Sequence, residues 1–193
     1  MEEQNKITQN LLQGKLLIAH PRLPRRDWFW HSVIYVYEHS EIFGSTGLVL
    51  NLPSKISLQT LCLDWNIDFP CPEEKVYLGG PITPSSIMML HSSEWSSINT
   101  ASAGNSLSVT SDYGMFDRLA GNDNPVYWRI FAGIATWAPG QLESELAAEW
   151  PYKIEHSWLL ADPNEEVMFE NDQDIQWQSA VDLAASQFFD TWI

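Results

Sequence analysis

Residues 131–146 constrain the fold more than any other stretch of this chain. They run from an apolar strand, through Ala138, Pro139 and Gly140, straight into a helical pattern. Pro139 suits a first helical turn, where its missing N–H costs nothing. Gly133 lies inside the strand, where a glycine marks a bulge or the close approach of another backbone. In the helix, Leu142 and Leu146 share one face, and Gln141 and Glu145 share another. Few unrelated sequences would carry Gly133, Trp137, Gly140, Gln141, Leu142, Glu143 and Glu145 in this order.

Around that segment the chain reads as short strands with interspersed helices. Apolar runs and β-branched residues predict strands over 15–19, 33–39, 46–50, 76–79, 87–91, 107–110, 126–135, 158–161 and 167–169. Helical spacing predicts helices over 57–65, 112–120, 139–149 and 174–188, with Ser57 and Ser111 as caps of the first two. The last has a stripe of Trp177, Ala180, Val181, Ala184 and Phe188. Residues 92–106 are rich in Ser, Asn and Thr and read as a surface loop anchored by Trp95. Only residues 40–45 separate two strands, too few for a parallel crossover, so those strands form an antiparallel hairpin. The expected class is α+β with a mainly antiparallel sheet flanked by several helices. Residues 1–13 are polar and expected to fray. Residues 14–193 suit one domain.

Charge narrows the range of partners. Ten basic residues against 25 acidic ones give a net charge of −15. From Glu143 onward Lys153 is the one basic residue among twelve carboxylates. Such a surface repels phosphate backbones and anionic lipid heads, so neither DNA nor a membrane is an expected partner. Arg22, Arg25 and Arg26, beside Trp28, Phe29 and Trp30, read as an exposed loop, because a nucleic-acid binder needs a wider basic face. The aromatic segment 28–30 also offers a surface for a protein partner or a homodimer. No apolar run approaches the roughly 18 residues of a membrane span, and the N-terminus does not resemble a signal peptide. With Cys62 and Cys71 outside any CxxC pair, reduced thiols and a cytoplasmic location are expected.

Several pieces in order resemble the YqgE/AlgH proteins of bacteria. They are Leu16-Leu17-Ile18-Ala19 with Pro21; Phe29 with Ser32-Val33-Ile34-Tyr35; Glu38-His39; and Gly47-Leu48-Val49 with Asn51 and Pro53. Further on come Gly79-Gly80-Pro81, Leu90-His91-Ser92, Thr110-Ser111 and the segment from Gly133 to Glu145. The resemblance implies a twisted, barrel-like, largely antiparallel sheet carrying surrounding helices. It also implies a bacterial cytoplasmic protein of unsettled biochemical function, labelled a regulator of gene expression yet without a DNA-binding motif. The chain departs from the family pattern at Arg25-Arg26-Asp27, Ser86-Ile87 and Ile134.

No complete catalytic set accompanies these motifs, so the sequence points away from an enzyme and toward binding of a protein or a small ligand. The rival is a hydrolase using Glu38, His39 or His91 at a sheet edge. On a regular strand Glu38 continues the face of Ile34 and Val36, and His39 that of Tyr35 and Tyr37. A parallel crossover after Asn51 would bring Gly79 and Gly80 to the Asn51 end of the hairpin, and a return strand would carry His91 to the His39 end. Two polar clusters are therefore expected, His39 with His91 and Asn51 with Gly79-Gly80. Without HxH, HExxH or a Cys/His set, no metal or cofactor is expected. Gly79-Gly80 lacks the lysine of a phosphate loop and reads as a tight turn. Candidate ligand-binding residues are Asn51, Gly79, Gly80, Gly140, Gln141 and Glu145. The start of the helix at Gly140-Gln141 could sense an anion or nucleotide. Alternatively, Gln141 reaches back to the N–H of Ala138 as half of a capping box.

Overall fold

A computed structural model describes residues 12–63, 66–67, 74–154, 157–169 and 173–190. Strands β1 (Leu16–Ala19), β2 (Val33–Ser40) and β3 (Gly44–Val49) lead to β4 (Pro53–Ser57) and helix α1 (Leu58–Leu63). Then come β5 (Lys75–Leu78), β6 (Ile82–Ser92), β7 (Ala101–Gly104), β8 (Leu107–Thr110), α2 (Gly114–Ala120) and β9 (Trp128–Trp137). Helix α3 (Gln141–Leu146), β10 (Trp158–Ala161), α4 (Glu165–Phe169) and α5 (Gln173–Asp190) complete the chain. The strands form one sheet in the order β10-β1-β2-β3-β9-β6-β8-β7, with β5 also beside β9 and β4 beside β5. Every pairing is antiparallel except β5 with β9.

The fold is α+β, as the strand and helix patterns indicate, and its sheet curls without closing. Tyr35 Oη of β2 donates to Ala103 O and Gly104 O of β7, at 2.8 and 3.0 Å. Side chains therefore bridge a gap that no strand ladder spans. β1 and the first five residues of β2 are apolar throughout because both their faces are buried. Leu16, Ile18, Val33, Tyr35 and Tyr37 point into a central core covered by Trp177, Ala180 and Ala184 of α5. Their alternates Leu17, Ala19, Ile34 and Val36 point outward, to a second core with Trp137, Leu142 and Trp158. A third core packs α1 and α2 against β5, β6 and β9.

Glycine makes the central crossing possible. The N–H of Gly79 donates to Ala132 O, and Val49 N donates to Gly79 O. A Cβ on Gly80 would lie 2.0 Å from Ile134 C, and one on Gly133, at φ +75°, would lie 2.5 Å from Gly80 O. Gly133 and Gly80 thus face each other where the chain enters β6, a close backbone approach of the sort Gly133 suggested.

Several expectations are corrected. Residues 167–169 are helical, not a strand, because Asn164 Oδ1 accepts from Val167 N and starts α4. Three apolar residues carry too little periodicity to separate the two states. Strand β4 lies in a polar stretch, and the 92–106 loop contains β7. Ser57 does cap α1, accepting from Thr60 N, but Ser111 does not cap α2, which starts at Gly114 without a side-chain cap. Phe188 is exposed although it continues the α5 stripe. Trp65 and Cys71 lie outside the described residues; Cys62 is buried, and burial pushes its thiol up to about 11.

The two special glycines of residues 131–146 should respond differently to alanine. Gly140 also has φ +75°, but a Cβ added there would meet nothing within 4 Å. Gly140→Ala should cost about 1 kcal/mol, the left-handed backbone alone. Gly133→Ala should cost at least about 3 kcal/mol or prevent folding, because it adds a backbone clash. Urea unfolding of the two variants compares them directly.

Candidate functional site

The residue that organises the outer core is Glu145. A short turn links the end of β9 to α3, and the N–H of Gln141 closes it on Ala138 O. Gln141 Oε1 accepts from Ala138 N at 3.0 Å, the back-bond expected of a capping box, while its Nε2 donates to Glu145 Oε1 at 2.8 Å. Glu145 Oε2 accepts from Trp137 Nε1 at 3.0 Å and from Trp158 Nε1 at 2.8 Å. One carboxylate, nine-tenths buried, thereby ties β9, α3 and β10 together. All three partners are neutral donors, which suits an acceptor-only group.

These residues open onto a cleft of about 390 Å³, lined also by Asp27, Phe29, Thr136, Tyr152 and Ser157. Phe29 meets Trp158 edge-on at 5.5 Å, and Trp137 meets Trp158 at 6.2 Å and 81°. Such edge-to-face pairs hold the rings at fixed angles and add about 1 kcal/mol each beyond burial. Asp27 Oδ1 accepts from Phe29 N, which fixes the loop that forms one wall. The segment 28–30 is thus less of a free surface than its sequence suggests. Phe29 and Trp30 are half-buried, Trp30 stacks on His31, and His31 stacks on Trp177 at 3.7 Å. Arg25 lies over the Trp30 ring.

The structure separates the two histidines. β5 does not cross over to pair with β3; it lies beyond the end of β3, antiparallel to it and parallel to β9. The return strand β6 therefore runs away from the hairpin tip, and His91 pairs with Trp128 while the His39 end of the hairpin meets Trp137. Those positions are the two ends of β9, on the order of 30 Å apart along a strand of that length. Gly79 does reach the Asn51 end of β3. Asn51, however, uses its amide on the loop before β2: Oδ1 accepts from Val33 N and Nδ2 donates to His31 O.

A β-bulge also exchanges the faces of Glu38 and His39. Register shifts between Val36 and Glu38, so Glu38 pairs with Thr46 and His39 with Ser45. His39 therefore sits on the outer-core face with Ile34 and Val36, and Glu38 is exposed. His39 Nδ1 bonds Ser45 Oγ at 2.8 Å, and its Nε2 lies 3.5 Å from Glu143 Oε1 of α3. The order serine, imidazole, carboxylate resembles a hydrolytic triad, but Ser45 is 3% exposed and none of the three lines the cleft. The arrangement fastens the hairpin to α3.

His91 sits in a complete hydrogen-bond chain. Ser97 N donates to Thr100 Oγ1, which bonds Thr110 Oγ1, which bonds His91 Nε2; His91 Nδ1 meets Ser92 O. A carbonyl requires a donor at Nδ1, so in the neutral ring Nε2 is the acceptor and Thr110 Oγ1 the donor. Burial lowers its pKa below the ordinary 6.5. Among the described residues no group of three His, Cys, Asp or Glu is placed to hold a metal ion.

The AlgH-like family model matches residues 16–188. The chain belongs to the AlgH-like family. It is 32% identical over 170 residues to a UPF0301 protein of Methylococcus capsulatus, covering 87% of this chain and 88% of the relative. Against a UPF0301 protein of Shewanella denitrificans the identity is 30%, over 94% of both chains. The solution structure of AlgH from Pseudomonas aeruginosa superposes with a TM-score of 0.72 at 27% identity, covering 89% of this AlgH-like chain and 88% of that one. A crystal structure from Corynebacterium diphtheriae has the same fold, with a TM-score of 0.66 at 23% identity and coverage of 88% and 85%.

Two outcomes follow from this chemistry. Glu145→Ala leaves two buried indole N–H groups without an acceptor and should destabilise the protein by about 3 kcal/mol in urea unfolding, against about 1–2 kcal/mol for Glu145→Gln, which keeps one acceptor oxygen. His91 has a lowered folded pKa, so its neutral form supports the fold above pH 6.5 and that support is lost as pH falls. The urea midpoint should therefore drop from pH 7 to pH 5, and His91→Gln should flatten that drop.

Proposed function

We propose that this AlgH-like protein acts by binding, and that the cleft beside α3 receives the ligand, either a small molecule or a side chain of a protein partner. The observation that carries this reading is the concave, ring-lined cleft with a positioned carboxylate at its wall. Concave sites with mostly apolar walls and a few oriented polar groups are the usual form of a ligand site. Gln141 and Glu145 are the sequence candidates that line it.

Any role in gene expression would then be indirect, through the bound partner, since a net charge of −15 opposes contact with DNA phosphates. Among the described residues no helix is long and apolar enough to cross a membrane, and the proposed site of action is the cytoplasm.

Indole N–H resonances of Trp137 and Trp158 sit on the cleft wall and report its occupancy. In a fragment screen followed by protein-observed NMR, some fragments should shift both resonances in a saturable way. A chemically broad library that leaves both unmoved would contradict the reading.

A further inference from the structure

The cleft has a definite electrostatic character. Among its described lining residues are two carboxylates, Asp27 and Glu145, and no lysine, arginine or histidine. A carboxylate has about four acceptor positions. Glu145 uses two on Oε2 for the indoles and one on Oε1 for Gln141. Among the described residues nothing fills the fourth, on Oε1, although the side chain is nine-tenths buried and lines the cleft. Among the described residues Asp27 has Oδ1 engaged, by Phe29 N, and no partner on Oδ2. Four aromatic side chains, Phe29, Trp137, Tyr152 and Trp158, complete the wall.

From these observations we infer that the cleft recognises an organic cation bearing N–H donors, such as a guanidinium or an alkylammonium group. Such a group supplies a donor for the vacant Oε1 position and a positive charge for two carboxylates. It also gains from ring walls, since cations are attracted to aromatic surfaces. An anion would face two like charges, with no positive side chain among the described lining residues, and a neutral group would bring no charge to offset theirs. This inference rests on the proposed binding role of the same cleft and adds the chemical class of its ligand. A free amine and the basic side chain of a partner protein share this chemistry.

The test titrates the full chain with butylguanidinium, its neutral counterpart butylurea and the anion butanesulfonate, following the Trp137 and Trp158 indole N–H resonances. Butylguanidinium should bind saturably and at least tenfold more tightly than either counterpart. Glu145→Gln should weaken it at least tenfold. Asp27→Asn, which keeps the Oδ1 bond to Phe29 and leaves the indole network intact, should weaken it several-fold without loss of stability. Equal or tighter binding of butylurea or butanesulfonate would overturn the cation inference while leaving the binding role standing. No saturable shift from any of the three would overturn the cation inference, and the binding role falls with it if the broad fragment library also leaves both resonances unmoved. A tripeptide, acetyl-Gly-Arg-Gly-amide, separates the sources: at least tenfold tighter binding than butylguanidinium supports a partner's side chain, and comparable binding supports a free cation.

Discussion

The outer layer of this protein depends on one buried carboxylate shared by two indoles. Trp137 ends β9, Trp158 begins β10, and Glu145 lies on the helix between them. Their hydrogen bonds to Glu145 Oε2 hold three elements in register over the outer core. A buried carboxylate is costly unless donors surround it, and three N–H groups do so here. The same residue lines a cleft, and its Oε1 carries a single one of these bonds. Structural and ligand-binding roles therefore meet in one side chain, and neither can be altered alone by deleting it.

β9 is the other organising element. It pairs with β3 and β5 along one edge and β6 along the other, so that each end of the strand carries a different polar site. The approach of Gly80 to Gly133 sets where β5 stops and β6 turns back. That turn determines that His91 moves away from His39. What looked like one potential histidine pair becomes two separate fastenings: His39 joins the hairpin to α3, and His91 joins β6 to the Thr100 and Thr110 hydroxyls.

Legibility in the sequence followed the range of the interaction. The strands of β1, β2, β8 and β10, the hairpin and the long helix α5 were readable because apolar periodicity and short connections are local signals. The back-bond from Gln141 to Ala138 was readable for the same reason. The Tyr37 bulge was not, because a one-residue insertion shows no composition of its own, yet it exchanged the faces of Glu38 and His39. The cleft was only half readable. Gln141 and Glu145 stood out on one helix face, whereas Asp27, Phe29, Tyr152 and Trp158 come from distant segments that only the folded chain brings together. Ser45 and Glu143 were missed as partners of His39 for that reason as well.

Glu145 holds both indole N–H groups in protected hydrogen bonds to one shared oxygen. Hydrogen exchange of the tryptophan indole protons, resolved by NMR, measures this directly. The Trp137 and Trp158 indole protons should exchange far more slowly than that of the exposed Trp150, and Glu145→Gln should accelerate both together. Exchange of either indole as fast as that of Trp150, or a response of one to Glu145→Gln without the other, would contradict it.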